Sequence, residues 1–360
     1  MLLTYYIVSG LFILASVLPF IPHQHWMFRV WEFGRIQLFF LQLLMLILGL
    51  VLINTKNTLF WVTIFLLGIL MIHNLIVLLP FTPVYRKRNN KEIPKDSETI
   101  SLISANVYQF NKHYNLLINL VQEVKPDILL TMESNQAWED ALAEIETDYP
   151  NYKKVALENT YGMHFYTNLK VTSLKVNYFV ADDVPSIEAS LITDSGIPFT
   201  FFGVHPPPPS PTEEDTSKER DGELLSLGKR VLETKGAKVV VGDFNNVAWA
   251  KASILFRKTS KLLDPRIGRG FVSTYHAKYK LLRFPIDLSF HSPDILIKDF
   301  KALKYIGSDH LPLFCSFHIS KKDENKEEVE TLDREEAEEV DEMIEDGKKE
   351  EGERPDVAQE

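Results

Sequence analysis

The chain has 360 residues, 45% hydrophobic and 24% charged, with a formal net charge of −10. That composition fits one or two globular domains, but it averages over three unlike regions. The segment 321–360 holds nineteen acids and seven bases, and residues 92–320 are only mildly acidic, with no Lys/Arg-rich stripe; this argues against a module that holds nucleic acid by charge alone, although a metal ion can supply positive charge locally. The single cysteine, Cys315, excludes an intrachain disulfide, and its apolar surroundings Leu311–Phe317 predict a buried, inert thiol.

Three charge-free stretches open the chain: Leu2–Ile21, Ile36–Thr55 and Asn57–Tyr85. Each supplies the roughly 20 Leu-, Ile-, Val- and Phe-rich residues that cross a bilayer as a helix. They predict transmembrane helices over about 2–21, 36–55 and 58–80, a block of residues 1–84. The first lacks a basic n-region and a small-residue cleavage site, so it is read as a retained helix and not as a signal peptide. Residues 85–98, YRKRNNKEIPKDSE, suit a juxtamembrane linker.

From Thr99 the pattern changes to strands alternating with helices. Strands are predicted at Ile100–Val107, Pro126–Met132, Met163–Val171, Ser186–Thr193, Pro198–Val204, Lys238–Val241, Pro285–Phe290 and His310–Ile319. Helices are predicted at Leu116–Val124, Gln136–Glu146 and Glu219–Glu233. This order is that of a layered α/β domain over 99–320. Residues 321–360, with no aromatic residue, predict a disordered or partly helical acidic tail.

Polar residues recur where apolar strands end: Asn106, Glu133, His205, Asp243 with Asn245, Asp287, and Asp309 with His310. One such residue is ordinary turn chemistry. Six clusters, all acid, amide or imidazole, suggest side chains converging on one rim of a sheet. Phosphoester hydrolysis needs an activated water, neutralised phosphoryl oxygens and a proton for the leaving oxygen. Hard oxygen donors without a cysteine cluster suit Mg²⁺, with Mn²⁺ as the alternative.

The motifs SANV (Ser104–Val107), ILLTME (Ile128–Glu133), GVHPPPP (Gly203–Pro209), VVVGDFNN (Val239–Asn246), PID (Pro285–Asp287) and GSDHLPL (Gly307–Leu313) together resemble the endonuclease/exonuclease/phosphatase superfamily over about Thr99–Ser320. The HPPPP run, the stretch Asp264–Tyr275 and the three preceding apolar runs are similar to a bacterial membrane-anchored branch. The resemblance implies a DNase I-like, four-layer α/β/β/α sandwich behind a helical transmembrane block, in an integral protein of the bacterial cell membrane. It implies Glu133 as the first metal ligand, with Asn106 beside it and Asp309 as a further contact. It further implies that Asp243 orients or deprotonates water, Asn245 binds a phosphate oxygen, and His310 stabilises the charge developing on phosphorus. Asp287 would hold the His310 ring, and His205 would bind phosphate or help protonate the leaving group. Arg220, Arg266 and Arg269 are candidate contacts for a substrate phosphate or head group, against the plainer reading of solvated arginines.

Two positions depart from the family pattern: Tyr108 stands where many relatives carry an acid, and Leu288 follows the PID motif in place of His or Tyr. The expected function is a metal-dependent phosphoester hydrolase at a bilayer, acting on a phospholipid, nucleotide or nucleic acid, with no obligate protein partner. The alternative is a catalytically inactive membrane scaffold or sensor. Arg29, Arg35, Arg86, Lys87, Arg88 and Lys91 would share one side against Lys56 on the other, which places the domain in the cytoplasm, whereas the resemblance leans toward an exported domain.

Overall fold

In the computed structural model, which describes residues 1–85, 93–211, 213–322 and 324–350, the apolar N-terminal region folds into helices α1 (Leu2–Val17), α2 (Trp26–Phe33), α3 (Arg35–Leu52) and α4 (Thr58–Leu78). Single 3-10 turns, each with a proline, extend α1 to Phe20 and α4 to Phe81. Asn57 starts α4 by accepting a hydrogen bond from the Phe60 amide at 3.0 Å. Among the described residues three helices are long and apolar enough to cross a membrane: Leu2–Phe20, Arg35–Leu52 and Thr58–Phe81. Four of their polar side chains form one hydrogen-bonded chain, the kind of pairing that lipid surroundings favour. Arg35 donates to Asn74 (3.0 Å), Asn74 to Gln42 (3.1 Å) and Gln42 to Ser16 (2.8 Å), which ties α1, α3 and α4 together. Helix α2, with Arg29 and Glu32 inside it, is too short and too polar for an apolar-run criterion to find. Arg86, Lys87, Arg88 and Lys91 of the expected linker lie outside the described residues.

The remaining elements are β1 (Ile100–Asn106), α5 (Tyr114–Val124), β2 (Ile128–Met132), α6 (Gln136–Leu142), β3 (Asn151–Val155), β4 (Met163–Thr167), β5 (Lys170–Asn177), β6 (Ser186–Ile192), β7 (Pro198–Val204), α7 (Lys218–Glu233), β8 (Ala237–Asp243), α8 (Lys251–Ser260), β9 (Asp287–His291), β10 (Ile295–Ala302), β11 (Leu313–Ile319) and α9 (Arg334–Lys349). The described strands form two mixed sheets, ordered β10-β11-β1-β2-β4-β3 and β5-β6-β7-β8-β9. Alternate residues of each strand face opposite ways. Leu102 and Leu130 of the first sheet thus meet Phe201 and Val239 of the second in the central core. Ile103 and Leu129 point outward beneath Leu117 of α5 and Trp138 of α6, while Val240 and Phe290 lie beneath Leu224 of α7 and Phe256 of α8. The result is the four-layer α/β/β/α sandwich.

Three differences from the sequence reading have physical causes. The single strand expected at Met163–Val171 is two strands, β4 and β5, in different sheets; the turn between them is held by the Asn168 amide on the Asp127 carbonyl. Strands β3 and β10 escape an apolar-run search because they are the edges of the first sheet and carry the charges that guard exposed edges, Lys153, Lys154, Lys298, Asp299 and Lys301. Of the two states expected for 321–360, disordered or partly helical, the described part takes the helical one and, beyond that expectation, packs on the domain. There, Asp333 and Glu336 form a capping box at the start of α9, and Val340 and Ile344 enter the core formed with α7. An apolar pair four residues apart makes one helix face that composition cannot reveal.

The domain docks directly on the N-terminal helices. Phe81 and Trp249 pack edge to face at 5.5 Å, and Trp249 Nε1 donates to the Glu32 carbonyl at 2.8 Å. The Gly268 amide donates to the Pro80 carbonyl at 2.9 Å, and Phe33 meets Phe284 at 6.1 Å.

Candidate active site

Topology brings the polar strand ends together. Strands β1 and β2 run parallel with Asn106 opposite Met132, so Asn106 and Glu133 emerge side by side. Strands β7 and β8 are also parallel, with Val204 opposite Gly242, so His205 and Asp243 emerge at the facing rim of the other sheet. Strand β9, which Asp287 opens, and strand β11, which His310 precedes in the chain, run antiparallel to these neighbours, so both residues reach the same rim, with Asp287 directly opposite Asp243. Gly242 allows β7 and β8 to approach: a Cβ there would lie 1.9 Å from the Val204 carbonyl oxygen. Glu133 and Asn245 both adopt positive φ, 57° and 48°, a strained backbone of the kind that collects at functional sites.

Asp243 lies at the centre. Its Oδ2 is 3.5 Å from His310 Nε2 and 3.9 Å from His205 Nε2, and it accepts a hydrogen bond from Asn106 Nδ2 at 3.1 Å. Its Oδ1 accepts from the Asn245 amide at 2.9 Å. Asp287 Oδ2 is 2.9 Å from His310 Nδ1, which orients the ring although Leu288, not His or Tyr, follows Asp287. Asn106 Nδ2 also donates to Glu133 Oε1 at 2.7 Å, and the Gln109 amide donates to Glu133 Oε2 at 3.2 Å. Asn245 Nδ2 donates to the Pro206 carbonyl at 2.9 Å; an amide carries two hydrogens, and this bond uses one.

The two histidines differ in charge. Burial opposes protonation of His310, but the carboxylates of Asp287 and Asp243 outweigh it and push its pKa up to about 10. Burial pushes His205 down to about 4, assisted by His310 and opposed by Asp243. An imidazolium and a neutral imidazole therefore flank one carboxylate. Burial also raises Asp243, against the attraction of His310. Glu133 is pushed up to about 7, chiefly by burial and further by Asp309, while the Asn106 hydrogen bond opposes the rise.

Two acidic groups could hold a cation. The ligand atoms of Asp243, Asp287 and His310 lie within 4.8 Å of one another, but His310 is already committed to both carboxylates as a charged donor. Glu133 offers the better fit to a hard divalent ion: its carboxylate is desolvated, and a second carboxylate, Asp309, lies close enough to raise it. Asn106 meets Glu133 and Asp243 through Nδ2, while its Oδ1 accepts from the Tyr108 amide at 3.0 Å. Tyr108 turns its ring to Phe110, centroids 5.6 Å apart, and adds no carboxylate.

The three candidate arginines are corrected. Arg220 is buried, paired with Asp221 Oδ1 at 2.7 Å, and donates Nη1 to the Asn245 carbonyl at 3.0 Å. It braces the loop that carries Asn245. Arg266 is fully buried against Asp264 at 2.6 Å, and Arg269 donates to the carbonyls of Pro265 and Ile297. Residue type alone cannot tell a solvated guanidinium from one neutralised in the interior. Sequence reasoning also missed Tyr275, whose ring lies 4.8 Å from that of His310, and Tyr161, 5.7 Å from His205. The first closes the Asp264–Tyr275 stretch that the sequence singles out; no signal marks the second.

A model described as the Endonuclease/Exonuclease/phosphatase family matches residues 103–310. Among solved structures, TDP2 of D. rerio complexed with single strand DNA product is 17% identical with a TM-score of 0.53, over 61% of this chain and 99% of that one. The human Nocturnin catalytic domain with bound sulfate anion is 16% identical with a TM-score of 0.50, over 62% and 95%. An endonuclease/exonuclease/phosphatase family protein from Bacteroides thetaiotaomicron is 17% identical with a TM-score of 0.51, over 63% and 100%. At such identities the likeness is one of fold. Comparison with curated proteins found no match.

Proposed function

Because this chain belongs to the endonuclease/exonuclease/phosphatase family, whose members are generally metal-dependent phosphoester hydrolases, we propose that it hydrolyses a phosphoester with a divalent ion, Mg²⁺ or Mn²⁺, while held at a membrane by its three apolar helices. The observation that carries this reading is the setting of Asp243, 3.5 Å from a His310 imidazolium that Asp287 orients.

Glu133, with Asp309 and the amide of Asn106, would hold the ion. When bound, it supplies neutralising charge to the phosphoryl oxygens. Asp243 positions the attacking water and takes its proton. His310 donates a charged hydrogen bond toward the phosphoryl group, where negative charge grows in the transition state. Asp287 keeps the His310 ring in place, Asn245 offers an amide hydrogen to a phosphoryl oxygen, and neutral His205 contacts the substrate on the far side of Asp243. Arg29 and Arg35 stand at the domain end of the helices, so the positive-inside rule favours a cytoplasmic domain; a C-terminal reporter fusion tests this side.

The direct test is turnover of bis-p-nitrophenyl phosphate by the purified full chain. EDTA should abolish it, Mg²⁺ should restore it, and Glu133→Ala should lack it. Full activity in excess EDTA would overturn the metal assignment, and a folded protein inert with Mg²⁺ and Mn²⁺ would favour a membrane scaffold.

A further inference from the structure

The segment between Tyr275 and Phe284 protrudes from the catalytic rim. Its base is a bridge between those two residues, and Tyr275 bridges in turn to His310. Arg283 closes the loop by donating to the carbonyls of His276 and Ala277. At the tip, Leu281 is 87% exposed, Tyr279 60% and Leu282 57%, with Lys278, Lys280 and Arg283 interleaved. Exposing Leu281 and Leu282 to water brings no packing return within the fold.

The depth of this tip is set by a hydrogen bond. Gln37 Nε2, in the first turn of α3, donates to the Leu281 carbonyl at 2.9 Å. Because α3 is long and apolar enough to cross a membrane, its first turn would mark the boundary between headgroups and hydrocarbon, which is the level at which Gln37 holds Leu281. Helix α2 reaches the same level: it presents Met27, Val30 and Trp31 outward, spaced as one helix face, and joins the loop base through Phe33 and Phe284. Apolar tips with interleaved cations are the pattern of segments that lie in a membrane interface, the stems entering the acyl boundary and the charges meeting lipid phosphates.

We propose that the loop Tyr275–Phe284 inserts its Tyr279, Leu281 and Leu282 side chains into the membrane interface and thereby presents the catalytic rim to a phosphodiester lipid of that same bilayer as substrate; this rests on the hydrolase reading above. Leu281 is three residues from Phe284, whose bridge partner Tyr275 stacks on His310, so the catalytic ring lies within about 20 Å of the hydrocarbon edge, and the headgroup layer occupies part of that gap. In the step itself, a water oxygen bonds to phosphorus and the phosphorus–oxygen bond to one side of the diester breaks. The water's proton passes to Asp243, the leaving oxygen takes up a proton, and the products are a phosphomonoester and an alcohol. A tethered enzyme meets such a substrate at a high effective concentration.

The test uses the full chain in vesicles of phosphatidylcholine, phosphatidylethanolamine and phosphatidylglycerol. First, NBD is attached to Leu282→Cys, the native Cys315 being buried. Blue-shifted emission quenched by doxyl-labelled lipid is expected; water-like, unquenched emission would overturn insertion. Second, the double variant Leu281→Asp/Leu282→Asp is compared with the parent on vesicle lipid and on bis-p-nitrophenyl phosphate. Hydrolysis of vesicle lipid should fall at least tenfold while turnover of the soluble diester stays within twofold. Equal losses on both would make the loop a part of the catalytic fold and overturn the proposal. A parent that cleaves the soluble diester but none of the vesicle lipids would overturn the substrate class alone. A parent inert on both would fail the hydrolase reading, and with it the substrate class, while the NBD measurement still decides insertion.

Discussion

His310 turns Nδ1 to Asp287, whose Oδ2 lies 2.9 Å away, and this aims Nε2 at Asp243. Strand pairing makes the contact, since Asp287 is opposite Asp243 in the β8–β9 register and His310 enters from the neighbouring sheet through the loop before β11.

Asp243→Asn and His310→Ala should each lower turnover by roughly 10²–10⁴-fold, the range for acid–base and electrostatic groups. The double variant should be little worse than the poorer single one, because both act on one transition state. His318→Ala, on β11 with its ring against the Glu98 carbonyl, should keep its activity. Single variants within about threefold of the parent would remove the catalytic assignment.

Arg220 separates a brace from a substrate contact. Arg220→Ala removes the Asn245 bond and leaves the buried Asp221 carboxylate with Ser217 but without its cation, so stability should fall by about 3 kcal/mol or more. Turnover should fall by up to about 100-fold through misplacement of the Asn245 loop, with KM nearly unchanged. Arg220→Met with Asp221→Leu should recover much of the melting temperature but not kcat. A rise in KM with kcat intact would instead make Arg220 a substrate ligand.

Docking of α9 is open to thermal denaturation. Ile344→Ala should cost roughly 2 kcal/mol, since it empties a buried site against α7. The ion pairs along the same helix, such as Lys251 with Glu339 and Lys229 with Asp341, are largely exposed and contribute about 0–1 kcal/mol each. Raising NaCl to about 1 M, which screens them, should therefore cost less than Ile344→Ala. Unchanged stability after deletion of residues 330–360 would show that the helix does not dock.

His164 on β4 gives a pH signature. Burial, with help from Lys154, pushes its pKa down to about 3, and both ring nitrogens lack a hydrogen-bond partner among the described residues. The unfolded chain binds this proton more readily, so the stability conferred by neutral His164 is present above about pH 6.5 and is lost as pH falls from there toward 3. Melting temperature between pH 7 and 5 should drop less steeply in His164→Phe than in the parent. Parallel slopes would show that this histidine does not titrate as its burial requires.

Local chemistry made much of this protein legible from its sequence. Charge-free runs of bilayer length mark the three helices that are long and apolar enough to cross a membrane. Short apolar runs ending at Asn106, Glu133, His205 and Asp243 mark the strands and the rim, because a sheet core demands the run and a site demands the interruption. Only the tertiary structure decided which polar residues meet. Asp287 reaches His310 across the two facing sheets, and Arg220 and Arg266 turn inward because Asp221 and Asp264 neutralise them in the core. The stretch from Met163 divides between two sheets because the chain turns where Asn168 meets Asp127. The acidic segment 334–349 becomes ordered because α7 offers Val340 and Ile344 a surface. Likewise, Leu281 is held beside the first turn of α3 because Gln37 donates to its carbonyl. Apart from the two arginines, whose acids are chain neighbours turned inward with them, each of these outcomes depends on a partner distant in sequence, and neither composition nor periodicity encodes who that partner is.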